Sequence, residues 1–124
     1  MSENEVKRVI RDQAKAAYLN KTVDFGTDKF KVRSLKVRAT SWAIPKSDYD
    51  DYGVDENTVK FFVVEFYDNE DDFYAMNCVC SILTLNSNGQ IGSADVPYSF
   101  DYEGMSVDFT MNFAEKINAI VTAK

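Results

Sequence analysis

The chain reads as an α+β fold, a mostly antiparallel four- to five-stranded sheet flanked by an N-terminal and a C-terminal helix. Three observations predict it. Apolar residues recur at helical spacing at both ends of the chain, and between those ends they alternate with the two-residue period of strands. Asn88-Gly89 sits between two such alternating runs and marks a hairpin. Two amphipathic helices need an apolar surface to cover, and a sheet face provides one.

The first helix opens at Ser2, which with Glu5 makes a capping-box pattern. Val6, Val9, Ile10, Ala14, Ala17 and Tyr18 form its apolar stripe, and Asn20 with Asp24-Phe25-Gly26 should end it. Asp28 to Thr40 alternates as one strand with a phase slip at Arg33-Ser34, which a β-bulge would reconcile. Its polar face carries Lys29, Lys31, Arg33, Lys36 and Arg38.

Pro45 to Asn57 reads as a loop. Thr58 to Tyr67 follows as a central strand, apolar on both sides. Asp68 to Asp72 is a hairpin loop, and Phe73 to Leu85 a long strand. The Asn88-Gly89 turn should be of type I′ and return the chain along Gln90 to Val96. Pro97 breaks the ladder and leaves Tyr98 to Tyr102 as an edge continuation. Met105, Phe109, Phe113, Ile117, Ile120 and Val121 fit a closing helix with Ser106 as its cap, in preference to a short strand over 107–111. At 124 residues, with no linker or repeat, the whole of 1–124 is expected to be a single domain.

The chemistry is notable for what is missing. The chain has no histidine, which removes His-based triads and the commonest metal ligand. Its glycines match neither dinucleotide nor P-loop patterns, so no cofactor is expected. The segment beginning at Asp48 resembles a calcium loop in its first oxygens and in Gly53, but the twelfth position is Val59 where a bidentate Glu belongs. Glu65, Asp68, Asp101 and Asp108 are the carboxylates available for acid–base work, and nothing in their spacing selects a pair. Cys78 and Cys80 are one residue apart, too strained for a disulfide, and read as a reduced pair. Met76 would share their strand face, as core rather than as a soft-metal site.

The composition is 45% hydrophobic and 14% aromatic, which suits a folded chain. No apolar run is long enough to span a membrane, and the first twenty residues lack the apolar stretch of a secretory signal, so a cytoplasmic location is expected. The net charge of −6 is unevenly spread. Residues 1–40 hold ten Lys/Arg against five Asp/Glu, a net of +5, while residues 41–124 hold four against fifteen, a net of −11. The cationic stripe carries no aromatic for base stacking, and the protein is acidic, which argues against nucleic acid as the partner.

Aromatics are interleaved with acids at Asp48-Tyr49-Asp50-Asp51-Tyr52, at Glu65-Phe66-Tyr67-Asp68, at Asp71-Asp72-Phe73-Tyr74 and at Asp101-Tyr102-Glu103. Aromatics anchor and charges steer, so such segments suit a protein interface. The expected function is a non-enzymatic protein–protein interaction, by a free-standing protein or a subunit of a larger assembly such as a viral one. The partner would be another protein or copies of itself. The candidate contact residues are Asp48, Tyr49, Asp50, Asp51, Tyr52, Asp71 and Asp72 in the loops, and Lys31, Arg33 and Lys36 on the basic face. The alternative is an acidic nucleic-acid mimic that inhibits a DNA- or RNA-binding protein.

Overall fold

A computed structural model describes residues 2–41, 43–95, 103–104 and 106–123. Helix α1 spans Glu3–Tyr18. The Ser2 hydroxyl accepts from the Glu5 amide at 3.3 Å and donates to the Glu5 carboxylate at 3.2 Å. Val6, Ile10 and Ala14 are buried, and Val9 and Tyr18 pack beside them. The helix stops where Leu19 turns extended and Asn20 takes a positive φ of 63°.

The next segment departs from expectation. Thr22–Asp24 (β1) pairs antiparallel with Lys29–Lys31 (β2) in a small ribbon of its own. The third strand is Ser34–Thr40 (β3), which belongs to the main sheet. The single bulged strand expected over 28–40 is therefore two strands in two sheets. The phase slip is real, but a change of partner resolves it instead of a bulge. The Val32 amide donates to Lys21 at 3.0 Å and its carbonyl accepts from Asn20 at 2.7 Å, which holds Val32 fully buried and off the β3 ladder.

Strands β4 (Thr58–Tyr67), β5 (Cys78–Asn86) and β6 (Ile91–Ala94) complete an antiparallel sheet in the order β3-β4-β5-β6. The two-residue β7 (Glu103–Gly104) lies parallel to the start of β5. β5 begins at Cys78 and not at Phe73, as discussed with the site below. The hairpin after β5 is present, but its turn is not type I′. Among the described residues Asn20 is the one non-glycine residue with positive φ, so Asn88 stays on the ordinary side and Gly89 alone takes 80°. The Gly89 amide donates to the Asn86 carbonyl at 3.0 Å, and the Asn86 side chain accepts from the Asn88 and Gln90 amides. This is a type I turn followed by a left-handed glycine. Pro97, the edge continuation over 98–102 and Met105 lie outside the described residues.

Helix α2 spans Val107–Thr122, and the Ser106 hydroxyl accepts from the Phe109 amide at 3.2 Å. Both helices cover one face of the sheet. There Phe62, Val64, Phe66, Val79 and Leu83 meet Val6, Ile10, Phe113 and Ile117, with Phe25 and Phe30 of the ribbon closing one end. On the opposite face Phe61, Val63, Cys80, Ile82 and Ala94 lie under the 43–57 loop, through Ile44, Val54, Tyr49 and Tyr52. Strand β4 is thus covered on both sides, as its continuous apolar run requires. The outer face near Glu65 and Tyr67 is left for polar chemistry.

Candidate docking site

The β4–β5 connection, residues 68–77, is built by its own side chains. Asp68 accepts from the Met76 amide at 2.9 Å and from the Asn77 side chain at 2.7 Å. Those bonds outweigh the upward push of burial and hold its carboxyl below the usual range. Asn69 accepts from the Asp71 amide, and Asp71 from the Phe73 amide, each at 3.0 Å. Short polar side chains that bond backbone two residues on stabilise turns at the expense of ladders. They set a 3-10 turn over Asp72–Tyr74, and so Phe73 to Asn77 is turn and not strand.

Three bonds fasten this tip to β3 and to Arg33 just before it. Arg33 pairs with Glu70 at 2.9 Å, the Ser34 hydroxyl donates to the Asn69 carbonyl at 2.7 Å, and Lys36 pairs with Asp72. The Lys36 ammonium beside Asp72 holds that carboxyl below its ordinary value. The result is a fixed tip whose apolar groups point outward. Phe73 is 84% exposed, Tyr74 66% and Met76 90%. The rings of Phe73 and Tyr74 stack edge-to-face with centroids 5.2 Å apart. Met76 was expected on the core face beside the cysteines. It lies instead before the strand begins, where the chain has no pleat to turn it inward.

The other acidic–aromatic segment behaves differently. Asp48 to Tyr52 forms parts of two 3-10 turns. Tyr49 and Tyr52 are half-buried against the outer-face cluster, with the Tyr49 ring 5.9 Å from Phe61. Asp50 and Asp51 remain in solvent and Asp48 is half-buried. Here the aromatics are core and the acids surround them. Among the described residues no cluster of three or more His, Cys, Asp or Glu could hold a metal.

The basic stripe is divided. Lys29 and Lys31 are exposed on the ribbon, whereas Arg33 and Lys36 are tethers of the tip. Arg38 pairs at 2.8 Å with Glu65, a carboxylate only 2% exposed that also accepts from the Tyr67 hydroxyl at 2.6 Å. Of the carboxylates considered for catalysis, Glu65 and Asp68 are each tied to these separate partners, and Asp108 is exposed in the first turn of α2. Asp101 lies outside the described residues. Cys78 and Cys80 are free cysteines on the Glu65 side of β5. Burial, reinforced by the Glu65 charge, pushes both thiols up to about 12, far from the range of a nucleophile.

No family model, curated protein or solved structure matches the chain. Among the described residues no helix is long and apolar enough to cross a membrane.

Sequence reasoning named Asp71-Asp72-Phe73-Tyr74 as a segment suited to an interface, but it placed Phe73 and Tyr74 at the start of a strand, outside the candidate contact residues, and Met76 on the core face. The signal was the run of Asp and Asn from 68 to 72. Such side chains cap their own backbone, and so they carry the turn further than charge alone implies.

Proposed function

We propose that the protein is a non-enzymatic docking protein that binds a protein partner through the β4–β5 tip. The observation that carries this is the exposure of Phe73, Tyr74 and Met76 on a turn fastened by Asn69, Asp71, Arg33 and Lys36. Single exposed apolar residues are ordinary on a protein surface, but three large ones within four positions are not. Full burial of each is worth roughly 1.5–3 kcal/mol. A tip already held in place loses little conformational freedom when it binds. Exposed Asp71 at its rim favours a partner whose apolar pocket is edged with Lys or Arg.

The nucleic-acid mimic gains no support from a particular feature. A mimic needs an ordered array of free carboxylates, and three acids on the sheet's outer face and tip, Glu65, Glu70 and Asp72, are instead matched by Arg38, Arg33 and Lys36. An apolar tip also has no counterpart on a phosphate backbone.

The test is a photo-crosslinker at position 74, compared with the same probe in a chain carrying Phe73→Ser and Met76→Ser. The wild-type tip should yield one discrete crosslinked protein, and the variant should lose it while its thermal midpoint is unchanged. Equal capture by both chains rejects the tip as the anchor.

A further inference from the structure

We propose that the tip docks on a second copy of this chain, in a closed dimer whose two-fold axis sets each tip on the β1–β2 ribbon of the other copy. This rests on the reading of the tip as a docking anchor and names its partner.

Two features of the fold lead there. The first is position. Ser34 pairs with Tyr67, so the start of β3 and the end of β4 share one pole of the sheet. The tip leaves that pole from β4, and the ribbon joins it through Val32 and Arg33. Arg33 itself binds Glu70, only two residues after Lys31. The ribbon and the tip therefore flank one point of the molecule.

The second feature is chemistry. Strand alternation turns Val23 and Phe30 toward the body and leaves Thr22, Asp24, Lys29 and Lys31 exposed on the outside of the ribbon. Lys21 reaches back to the Ala16 carbonyl at 3.3 Å, which brings the end of α1, with the exposed Lys15, beside the ribbon. Lys15, Lys29 and Lys31 have no ion-pair partner among the described residues. The ribbon's acids are occupied in its turn, where Asp24 accepts from the Gly26 amide and Asp28 from the Lys29 amide. At the tip, exposed Asp71 likewise has no cation among the described residues.

The aromatic rings add a second complementarity. Lysine stems cover apolar rings, and the ammonium is attracted to the ring face. Lys29 and Lys31 are thus a fitting cover for Phe73 and Tyr74. A pole that carries both halves of a complementary pair meets its copy by a two-fold rotation, and each contact is then made twice. Halves on opposite poles would give chains instead.

The experiment is mass by sedimentation across a concentration series, at low and at high salt. The expected particle at low salt has twice the 14.1 kDa of one chain and dissociates as salt rises. Lys29→Glu with Lys31→Glu, or Asp71→Lys alone, should weaken the dimer by about tenfold or more. All three reversals in one chain should restore it, because an isologous contact pairs each with its complement. Thermal midpoints check that every variant is folded. A monomer at all concentrations, an open-ended polymer, or failure of the triple reversal to restore the dimer overturns the second copy as partner. If the position-74 crosslinker then still captures a different protein, the docking reading stands without it. A dimer untouched by Phe73→Ser with Met76→Ser overturns the tip as its anchor, and the docking reading falls with it when the position-74 crosslinker also captures no other protein.

Discussion

At the scale of single residues, the five cations read as one stripe have three different fates. Arg38 neutralises a buried carboxylate, Arg33 and Lys36 hold a surface turn, and Lys29 and Lys31 face solvent. Their removal should therefore cost different amounts. Removing Arg38 leaves buried Glu65 without its cation, with the Tyr67 hydroxyl still donating to it. Because the Arg38 side chain is itself 58% exposed, the penalty for Arg38→Gln is about 1–3 kcal/mol, below that of a fully buried pair. Arg33→Gln breaks a pair with both members well exposed and should cost no more than about 1 kcal/mol. Urea unfolding of the two variants checks this, and equal losses would mean that Glu65 is not the anchor of the face. The thiols make a second prediction. A group at about 12 is ionised to roughly one part in ten thousand at neutral-to-mildly-alkaline pH, against a sizeable fraction for an ordinary thiol. Alkylation of Cys78 and Cys80 in the folded chain should be slower by orders of magnitude than in denaturant. Rapid labelling of Cys78 in the native chain would contradict the burial and the Glu65 proximity together.

At the scale of elements, long periodic segments were legible and short ones were not. α1, β4 and α2 each repeat their apolar pattern over ten or more residues, which periodicity resolves. β1 and β2 have three residues each, too few for a period, and were merged into a loop and a neighbouring strand. The tip, named as an acidic-aromatic segment, is read as strand from Phe73 for another reason. Phe73, Tyr74 and Met76 have strand-like composition, and their exposure depends on caps from Asn69 and Asp71 that compete with the ladder. The β1–β2 turn shows how tightly the ribbon is docked. Its Gly26 has φ 86°, and a Cβ there would stand 2.5 Å from the Ser106 Cβ, at the cap of α2. The Ser106 amide also donates to the Phe25 carbonyl at 3.0 Å. Gly89 has φ 80° but nothing near its missing Cβ. Gly89→Ala should thus lose only the left-handed penalty, about 1–2 kcal/mol. Gly26→Ala should lose that plus the displacement of α2, together about 2–5 kcal/mol. Denaturant midpoints of the two variants make the comparison, and a smaller loss at Gly26 would show that the ribbon floats free of α2.

At the scale of the whole molecule, folding partly cancels the charge split. Pairing β3 with β4 carries Arg33, Lys36 and Arg38 of the basic third to Glu70, Asp72 and Glu65 of the acidic remainder. Among the described residues, Lys15, Lys29 and Lys31 by the ribbon and Asp71 at the tip keep no ion-pair partner. With no histidine in the chain and both thiols pushed up to about 12, neither an imidazole nor these thiols respond between about pH 5 and 8. The tip should feel acid only below that range. Asp68 and Asp72 have carboxyls lowered in the folded chain, the first by hydrogen bonds that overcome its burial and the second by Lys36. A carboxyl lowered in this way stabilises the fold at pH above its unfolded value, about 3.9, and the contribution disappears as pH falls through the folded value. NMR signals of Phe73 and Tyr74 should therefore hold steady from neutral pH to about 5 and shift only below about 4. In Lys36→Gln the group that lowers Asp72 is gone, so the shift should begin at higher pH than in the wild type. The proposed self-association through the tip should follow the same profile and stay constant from about pH 5 to 8. Movement of the tip signals within that neutral range, or an onset indifferent to Lys36, would show that the turn is held by something other than the Lys36–Asp72 and Asp68–Asn77 contacts.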